Sequence, residues 1–380
     1  MKNKKIGIAV IGAGGRAHGV VKNLIKDSNG NVDIKRVFDP DKKVVAETVK
    51  SWGSTTVICD DYQSAINSDD IDWVMVFSPN VYHCEHVCYA FDCDKHVFSE
   101  KPLATSIEDC QTIYNKHIES GNLFATGFVL RYAPIYAKVK ELLDEKYIGD
   151  IISIDANENI TPDHGAYIMQ NWRRKKELSG PHILEKCAHD MDLINWFVGS
   201  LPSKVASFGG LDFFVPENNH FMDKFKKSDG KTIFGGWQDP HAVSTPFESD
   251  KTLMDNQVAI IQYRNNVRVM FQATMSNAIP ERRMYFSGTE GTMIAELYSS
   301  SLKYKRHDSN EVTISFKGDG HGGGDNYIMK ELYKSMSEDM EPASSGNEAL
   351  ESSVLAMAID EAAENNSIVD LEPIWKTMDR

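Results

Sequence analysis

Positive charge is in short supply in this chain: 41 Lys and Arg stand against 55 Asp and Glu, a formal net charge of -14. That balance argues against nucleic acid or an anionic membrane as the main partner, while leaving room for local recognition of a phosphate. Long apolar runs are missing too. The basic residues 1–5 lead only into a short apolar stretch at 6–11 before glycines follow. Neither a signal peptide nor a transmembrane span is expected, and the protein is read as cytoplasmic. Cysteine is sparse: Cys59, Cys84, Cys88, Cys93, Cys110 and Cys187 lack disulfide-framework spacing and are expected to be reduced thiols. Internal repeats and low-complexity segments are absent. What is present, 41% apolar and 25% charged residues over 380 positions, suits a globular protein large enough for two domains.

Over 5–128, short apolar runs alternate with amphipathic stretches. Runs at 6–11, 34–38, 56–59, 73–77, 96–98 and 123–126 read as buried strands, with helices such as 17–26 and 42–50 between them. This predicts an α/β domain with a doubly wound parallel sheet covered on both faces. After 131 the pattern changes to helices at 134–146 and 182–198 and strands at 150–157, 204–211, 257–263, 267–274, 283–287 and 292–297. The pair Asn265-Asn266 is a hairpin signal. This half is expected to be α+β, with an open, mainly antiparallel sheet. Domains are placed at 1–128 and 129–380, with a helix at 347–364 able to pack back toward the first. Residues 215–255 are polar and aperiodic, an irregular excursion of the kind that forms lids or binding loops.

The first strand feeds Gly12-Ala13-Gly14-Gly15-Arg16-Ala17, the GxGxxG/A pattern of a dinucleotide loop that opens a helix. Gly12 allows the turn, Gly14 lets a pyrophosphate approach, and the helix N-terminus faces the phosphates. Asp39 ends the second strand, where a carboxylate accepts hydrogen bonds from the adenosine ribose and repels a 2′-phosphate. NAD is therefore favoured over NADP. The bland alternative is a turn loop plus an N-capping Asp39. Ser78, Asn80 and His83 follow the fourth strand, at the edge where ligands of such sheets bind. His83, Cys84, His86 and Cys88 lack a second ligand pair, and the two cysteines share a helix face with apolar neighbours. No metal is expected.

Lys101, before Pro102, is held extended at the same edge, although a Lys-Pro after a strand is also a common loop. Glu185, His189, Asp192 and Trp196 fall at i, i+4, i+7 and i+11 of the predicted helix 182–198. Such a stripe on an apolar helix either faces a ligand or forms a satisfied internal network. Together these parts suit alcohol oxidation: His189 takes the hydroxyl proton, Lys101 stabilises the alkoxide and Glu185 orients the imidazole. Asp325, after the glycines at 322–324, reads as an N-cap, with His321 as a secondary candidate for lining a cavity. His164, His220 and His241 read as solvated loop histidines.

These residues resemble the glucose-fructose oxidoreductase, inositol dehydrogenase and rhizopine-catabolism (Gfo/Idh/MocA) family. The resemblance runs from Gly12 and Asp39 through Glu100-Lys101-Pro102, Gly127, Arg131, Trp172-Arg173 and His189 to the segment 288–292. It implies a Rossmann NAD-binding domain, a C-terminal sheet domain for substrate binding and oligomerisation, and NAD(H)-dependent oxidation or reduction of sugars and cyclitols. Lys101 matches the family lysine and His189 its acid/base. Gly15, Arg16 and Glu100 join the cofactor set of Gly12, Gly14, Asp39, Ser78, Asn80, His83 and Lys101. Arg131, Trp172, Arg173 and Asp192 are the substrate candidates, although Trp172-Arg173 also reads as a stacked pair beginning a basic run. Where the family commonly has Asp and Gly before the histidine, this chain has Glu185 and Cys187, a variant resembling a subgroup that oxidises glycosides at C3. A small carbohydrate or polyol partner and a homo-oligomer, dimer or tetramer, are expected. The alternatives are a redox-neutral glycosidase with retained NAD and a non-catalytic sugar- or cofactor-sensing protein.

Overall fold

A computed structural model of the chain describes residues 5–53, 55–235, 242, 245–318 and 320–380. They form two compact units: Met1–Ala133 with Gly323–Ser353, and Pro134–Gly322 with Val354–Arg380. Division by sequence left all of 129–380 together, whereas Gly323–Ser353 clusters with the first unit. Its ties are long-range, as in the Thr126 N–H bond to the Ser344 carbonyl at 3.0 Å and the Leu103 N–H bond to Ser353 Oγ at 3.2 Å. Local periodicity carries no trace of them. The helix Gly346–Asn365 begins in the first unit and ends in the second. Among the described residues no helix is long and apolar enough to cross a membrane.

In the first unit, β1 (Ile6–Ile11), β2 (Val32–Phe38), β3 (Val57–Ile58), β4 (Trp73–Val76), β5 (His96–Ser99) and β6 (Phe124–Thr126) form a six-stranded parallel sheet in the order β3-β2-β1-β4-β5-β6. β4 and β6 are buried at every position, and β1 at all but its first. Helices cover both faces, which is why the sequence shows continuous apolar runs there rather than alternation. Loop ends are set by side chains: Asp41 caps the helix Lys42–Trp52 by accepting from the N–H groups of Lys43 and Val44. Gly53 ends that helix at φ 66°. The order reverses direction between β1 and β4, the point at which such sheets open a crevice for a dinucleotide.

The second unit holds β7 (Ile151–Asn159), β8 (Pro202–Gly210), β9 (Asn256–Tyr263), β10 (Arg268–Thr274), β11 (Arg283–Gly288), β12 (Gly291–Glu296), β13 (Ser301–Arg306), β14 (Val312–Ser315) and β15 (Val369–Asp370). They form a nine-stranded sheet in the order β14-β13-β12-β11-β7-β10-β9-β8-β15. Among these described strands, only β7 and β10 pair in parallel. β9 alternates exposed and buried along its whole length, so one face packs and the other meets solvent. The β9–β10 hairpin turns at Asn265-Asn266, with Asn266 at φ 66°.

Two expectations change here. The single helix 182–198 is two, His182–Glu185 and Ala188–Val198, separated by a turn at Lys186-Cys187. The break gives the second helix its own N-terminus, and Asp190 lies in that first turn, where a carboxylate is favoured. The described part of the excursion after β8 is not a loose polar loop. Phe214, Phe234 and Phe247 form a buried aromatic cluster with Ala166, Ile168 and Met169 of the helix Pro162–Gln170, and Phe213 and Phe221 pack against it. Asp255 holds its start by accepting from the N–H groups of Asp212, Phe213 and Phe214.

Candidate active site

At the carboxyl edge of the first sheet, Gly12 turns the chain at φ 89°. A Cβ there would stand 2.7 Å from the Phe77 carbonyl carbon and the Ser78 nitrogen, so only glycine fits. The helix Gly15–Asp27 starts without a side-chain cap or an acid in its first turn. Gly14 and Gly15 open onto space free of heavy atoms within 4 Å of a built Cβ. The N–H donors of an open helix start without a side-chain cap fit a pyrophosphate. Asp39 is not the N-cap of the next helix, a role taken by Asp41. Its Oδ2 instead accepts from Ala13 N–H at 2.7 Å and its Oδ1 from Asp41 N–H at 2.8 Å. The carboxylate is thus fixed beside the loop, and its remaining lone pairs suit ribose hydroxyls. These residues fit NAD.

Next along the edge, Ser78 Oγ lies 2.9 Å from His86 Nδ1. Asn80 is buried. His83 is buried as well, its Nδ1 2.8 Å from the Pro102 carbonyl and its Nε2 2.9 Å from the Ser78 carbonyl. Burial lowers the pKa of His83 and pushes His86 down to about 4. His83 thus sits between two loops of the edge, and its neutral ring donates its one N–H to one of the two carbonyls. The Lys101-Pro102 peptide that it touches is cis.

Glu100 anchors the same segment. Its Oε1 accepts from Arg16 Nε at 2.6 Å, and its Oε2 from Lys101 N–H at 3.3 Å. The Gly127 Cα faces this carboxylate so closely that a Cβ would stand 2.7 Å from Oε2. Arg16 Nη1 also donates to Asp325 Oδ1 at 2.7 Å. The expectation for Asp325 is corrected: Gly324 holds the cap position of the helix Asp325–Glu338, and the aspartate is an ion-pair partner of the glycine loop. Arg131 lies in this unit with Nη1 3.9 Å from Glu348 Oε1 and 3.5 Å from the Ala343 carbonyl.

In the second unit, His189 is buried in the helix Ala188–Val198, and its ring centroid lies 5.8 Å from that of His321. Asp192 is buried one turn on. Glu185 accepts from Arg173 Nε at 2.8 Å. The Arg173 guanidinium lies 4.5 Å from the Trp172 ring centroid, and its Nη1 reaches Tyr167 Oη at 3.3 Å. The stacked pair and the substrate candidates are thus the same residues. The rest of the basic run is matched: Arg174 and Lys175 pair with Asp250, and Lys176 with Asp360 and Glu364.

His164 is not a solvated loop histidine. It lies in the helix Pro162–Gln170, where burial and then the Lys186 charge push it down to about 2, against the pull of Glu185. His220 keeps the loop setting, with Nδ1 2.9 Å from the Glu217 carbonyl. His241 lies outside the described residues.

Sequence reasoning missed an internal cluster below His189. Asp190 is fully buried and takes two bonds from Arg282, at 2.9 and 2.7 Å. Arg282 also pairs with buried Glu158 at 2.7 Å, and Lys186 approaches Glu158 at 3.6 Å. Burial pushes Asp190 up to about 6 against the Arg282 charge. Four charges from distant segments offset one another where the helix breaks. Among the described residues no group of three or more His, Cys, Asp or Glu could hold a metal ion.

Residues 6–128 match the GFO_IDH_MocA model described as oxidoreductase family, NAD-binding Rossmann fold, and 140–371 match its C-terminal alpha/beta domain. The chain belongs to this family. Its first unit is an NAD-binding Rossmann fold, and the protein is an NAD-binding oxidoreductase of the Gfo/Idh/MocA type. YteT of Bacillus subtilis (strain 168) is 22% identical over 88% of this chain and 89% of its own length. An inositol 2-dehydrogenase of Gluconacetobacter diazotrophicus is 29% identical, but the match spans 51% of this chain and 54% of that protein. Levoglucosan dehydrogenase in complex with NADH has the same fold: TM-score 0.79 at 19% identity, covering 96% of this chain and 99% of that one.

Proposed function

We propose that this family member is an NAD-dependent dehydrogenase acting on a CH–OH group of a sugar, glycoside or cyclitol. One observation carries the reading: the Arg16–Glu100 pair ties the backbone of Lys101 to the phosphate loop. Bound NAD supplies the hydride acceptor. Gly12, Gly14, Gly15, Arg16 and Asp39 hold it, with Ser78, Asn80, His83 and Glu100 shaping the edge alongside. Lys101 donates to the substrate oxygen and stabilises the negative charge that develops there. His189 accepts the hydroxyl proton, and its burial keeps water from competing for that proton. Glu185, Arg173, Trp172, Arg131 and Asp192 position the substrate and the base. Glu185-Lys186-Cys187 before His189 favours a glycoside oxidised at its C3 hydroxyl.

We place the protein in the cytoplasm, a reading supported by six cysteines present as free thiols. A homo-oligomer is supported by the solvent face of the second sheet. Phe208, Val258, Ile260 and Met270 are exposed there on paired positions of β8, β9 and β10.

The test is NADH formation across a panel of glycosides, inositols and free sugars. Lys101→Met and His189→Ala are each expected to retain NAD binding by calorimetry and to lose turnover by about two to four orders of magnitude. Wild-type turnover in both variants would overturn the assignment.

A further inference from the structure

The Arg173–Glu185 pair bears on what the site admits. Arginine is the side chain best suited to grip a carboxylate or phosphate through its planar fork. Here the guanidinium is held on several sides: Nε by Glu185 at 2.8 Å, Nη1 by Tyr167 Oη at 3.3 Å, and one face by the Trp172 ring. Glu185 is 9% exposed at its side chain and Arg173 27%, so the carboxylate lies out of bulk water while the guanidinium is partly solvated.

Two further cations of this unit, Arg282 and Lys186, are matched in the same way. Arg282 lies between Asp190 and Glu158, and Lys186 approaches Glu158. A substrate bearing its own carboxylate or phosphate would meet an arginine whose charge is already matched by Glu185, and would give up water without gaining that ion pair.

We infer that Glu185 is a specificity-determining residue which, by neutralising Arg173, restricts the site to uncharged polyols and glycosides and rejects uronic acids and sugar phosphates. The inference rests on the dehydrogenase reading above and narrows its substrate class. Glu185 acts through Arg173. Its signature is therefore a change in preference between two ligands of equal shape and different charge, which loss of packing alone would not produce.

The probes are methyl glucoside and methyl glucuronide, which differ at C6 by the carboxylate, with myo-inositol as a second neutral ligand. NADH formation and calorimetric binding to the NAD-loaded protein are both read. The wild type is expected to favour the glucoside over the glucuronide by about tenfold or more in kcat/KM and in affinity. Glu185→Gln, which releases the arginine charge, should narrow or reverse that ratio by about tenfold, whatever its effect on absolute turnover. Glu185→Asp keeps the charge and should retain the wild-type preference. A wild type that prefers the glucuronide, or a ratio unchanged in Glu185→Gln, overturns the inference while leaving the dehydrogenase reading intact. If none of the three ligands is oxidised or bound by the NAD-loaded wild type, the dehydrogenase reading fails for this class, and the inference falls with it.

Discussion

Arg16 Nε lies 2.6 Å from Glu100 Oε1, so the glycine loop and the residue preceding Lys101 are held by one ion pair. Glu100 is 10% exposed at its side chain and Arg16 35%. Arg16→Met would leave the carboxylate nearly buried beside Asp325 without this partner. A loss of about 1–2 kcal/mol is expected, less than for a fully buried pair because the arginine is partly solvated. Urea unfolding measures it, and NAD affinity should weaken in parallel. Unchanged values of both would show that the pair carries no coupling.

Gly127 tests the same contact from the other side. In Gly127→Ala the new Cβ would stand 2.7 Å from Glu100 Oε2, and the carboxylate must move. Overpacking of this kind costs about 1–3 kcal/mol. The expected result is a folded protein by circular dichroism whose turnover drops more than its NAD affinity.

His164 predicts a pH dependence. Its pKa is pushed from 6.5 down to about 2 by burial and by Lys186, so the folded protein keeps it neutral where the unfolded chain would protonate it. Below about pH 6.5 the unfolded state binds the extra proton, and the stability conferred by the neutral ring is lost progressively as pH falls toward the folded value. The urea midpoint of the wild type should therefore drop between pH 7.5 and 5.5 by more than that of His164→Gln. Parallel midpoints in the two proteins would refute it. His86, pushed down to about 4, adds a smaller effect of the same sign in both.

Phe247 is fully buried in the aromatic cluster. Phe247→Ala should cost about 3–5 kcal/mol. Limited proteolysis should then cut first within 211–255, since the cluster packs the phenylalanines of that segment against the helix Pro162–Gln170. Cleavage elsewhere first would count against the cluster as its anchor.

Ile260 and Met270 are directly paired across β9 and β10 and are 60% and 54% exposed. If a second copy covers this face, Ile260→Glu with Met270→Glu should shift the mass measured by light scattering toward the monomer, with unfolding cooperativity retained. A mass unaffected by the two charges would exclude this face from the interface.

The parts legible in the sequence are those written in contiguous residues. β1, the turn at Gly12 and the helix after it form one local unit, and Asp39 closes β2 within the same pattern. What escaped was written across distance. Asp325 reads as a cap because glycines precede it, yet its partner Arg16 is 309 residues away. Asp190 and Arg282, 92 residues apart, give no periodic sign of meeting. The helix break at Lys186-Cys187 was hidden because the apolar spacing on either side of it remains helical. One signal was available and unread: Phe213, Phe214, Phe221, Phe225, Phe234 and Phe247 are too many aromatics for a solvated loop.

That aromatic cluster has a consequence for variation. A segment that buries its own phenylalanines, and is held at one end by Asp255, has its packing requirements concentrated in a few positions. Exposed polar residues between them, such as Lys227 and Asp229, carry no part of that packing. Such a piece is expected to tolerate substitution at exposed positions such as Lys227 and Asp229 with its phenylalanines kept.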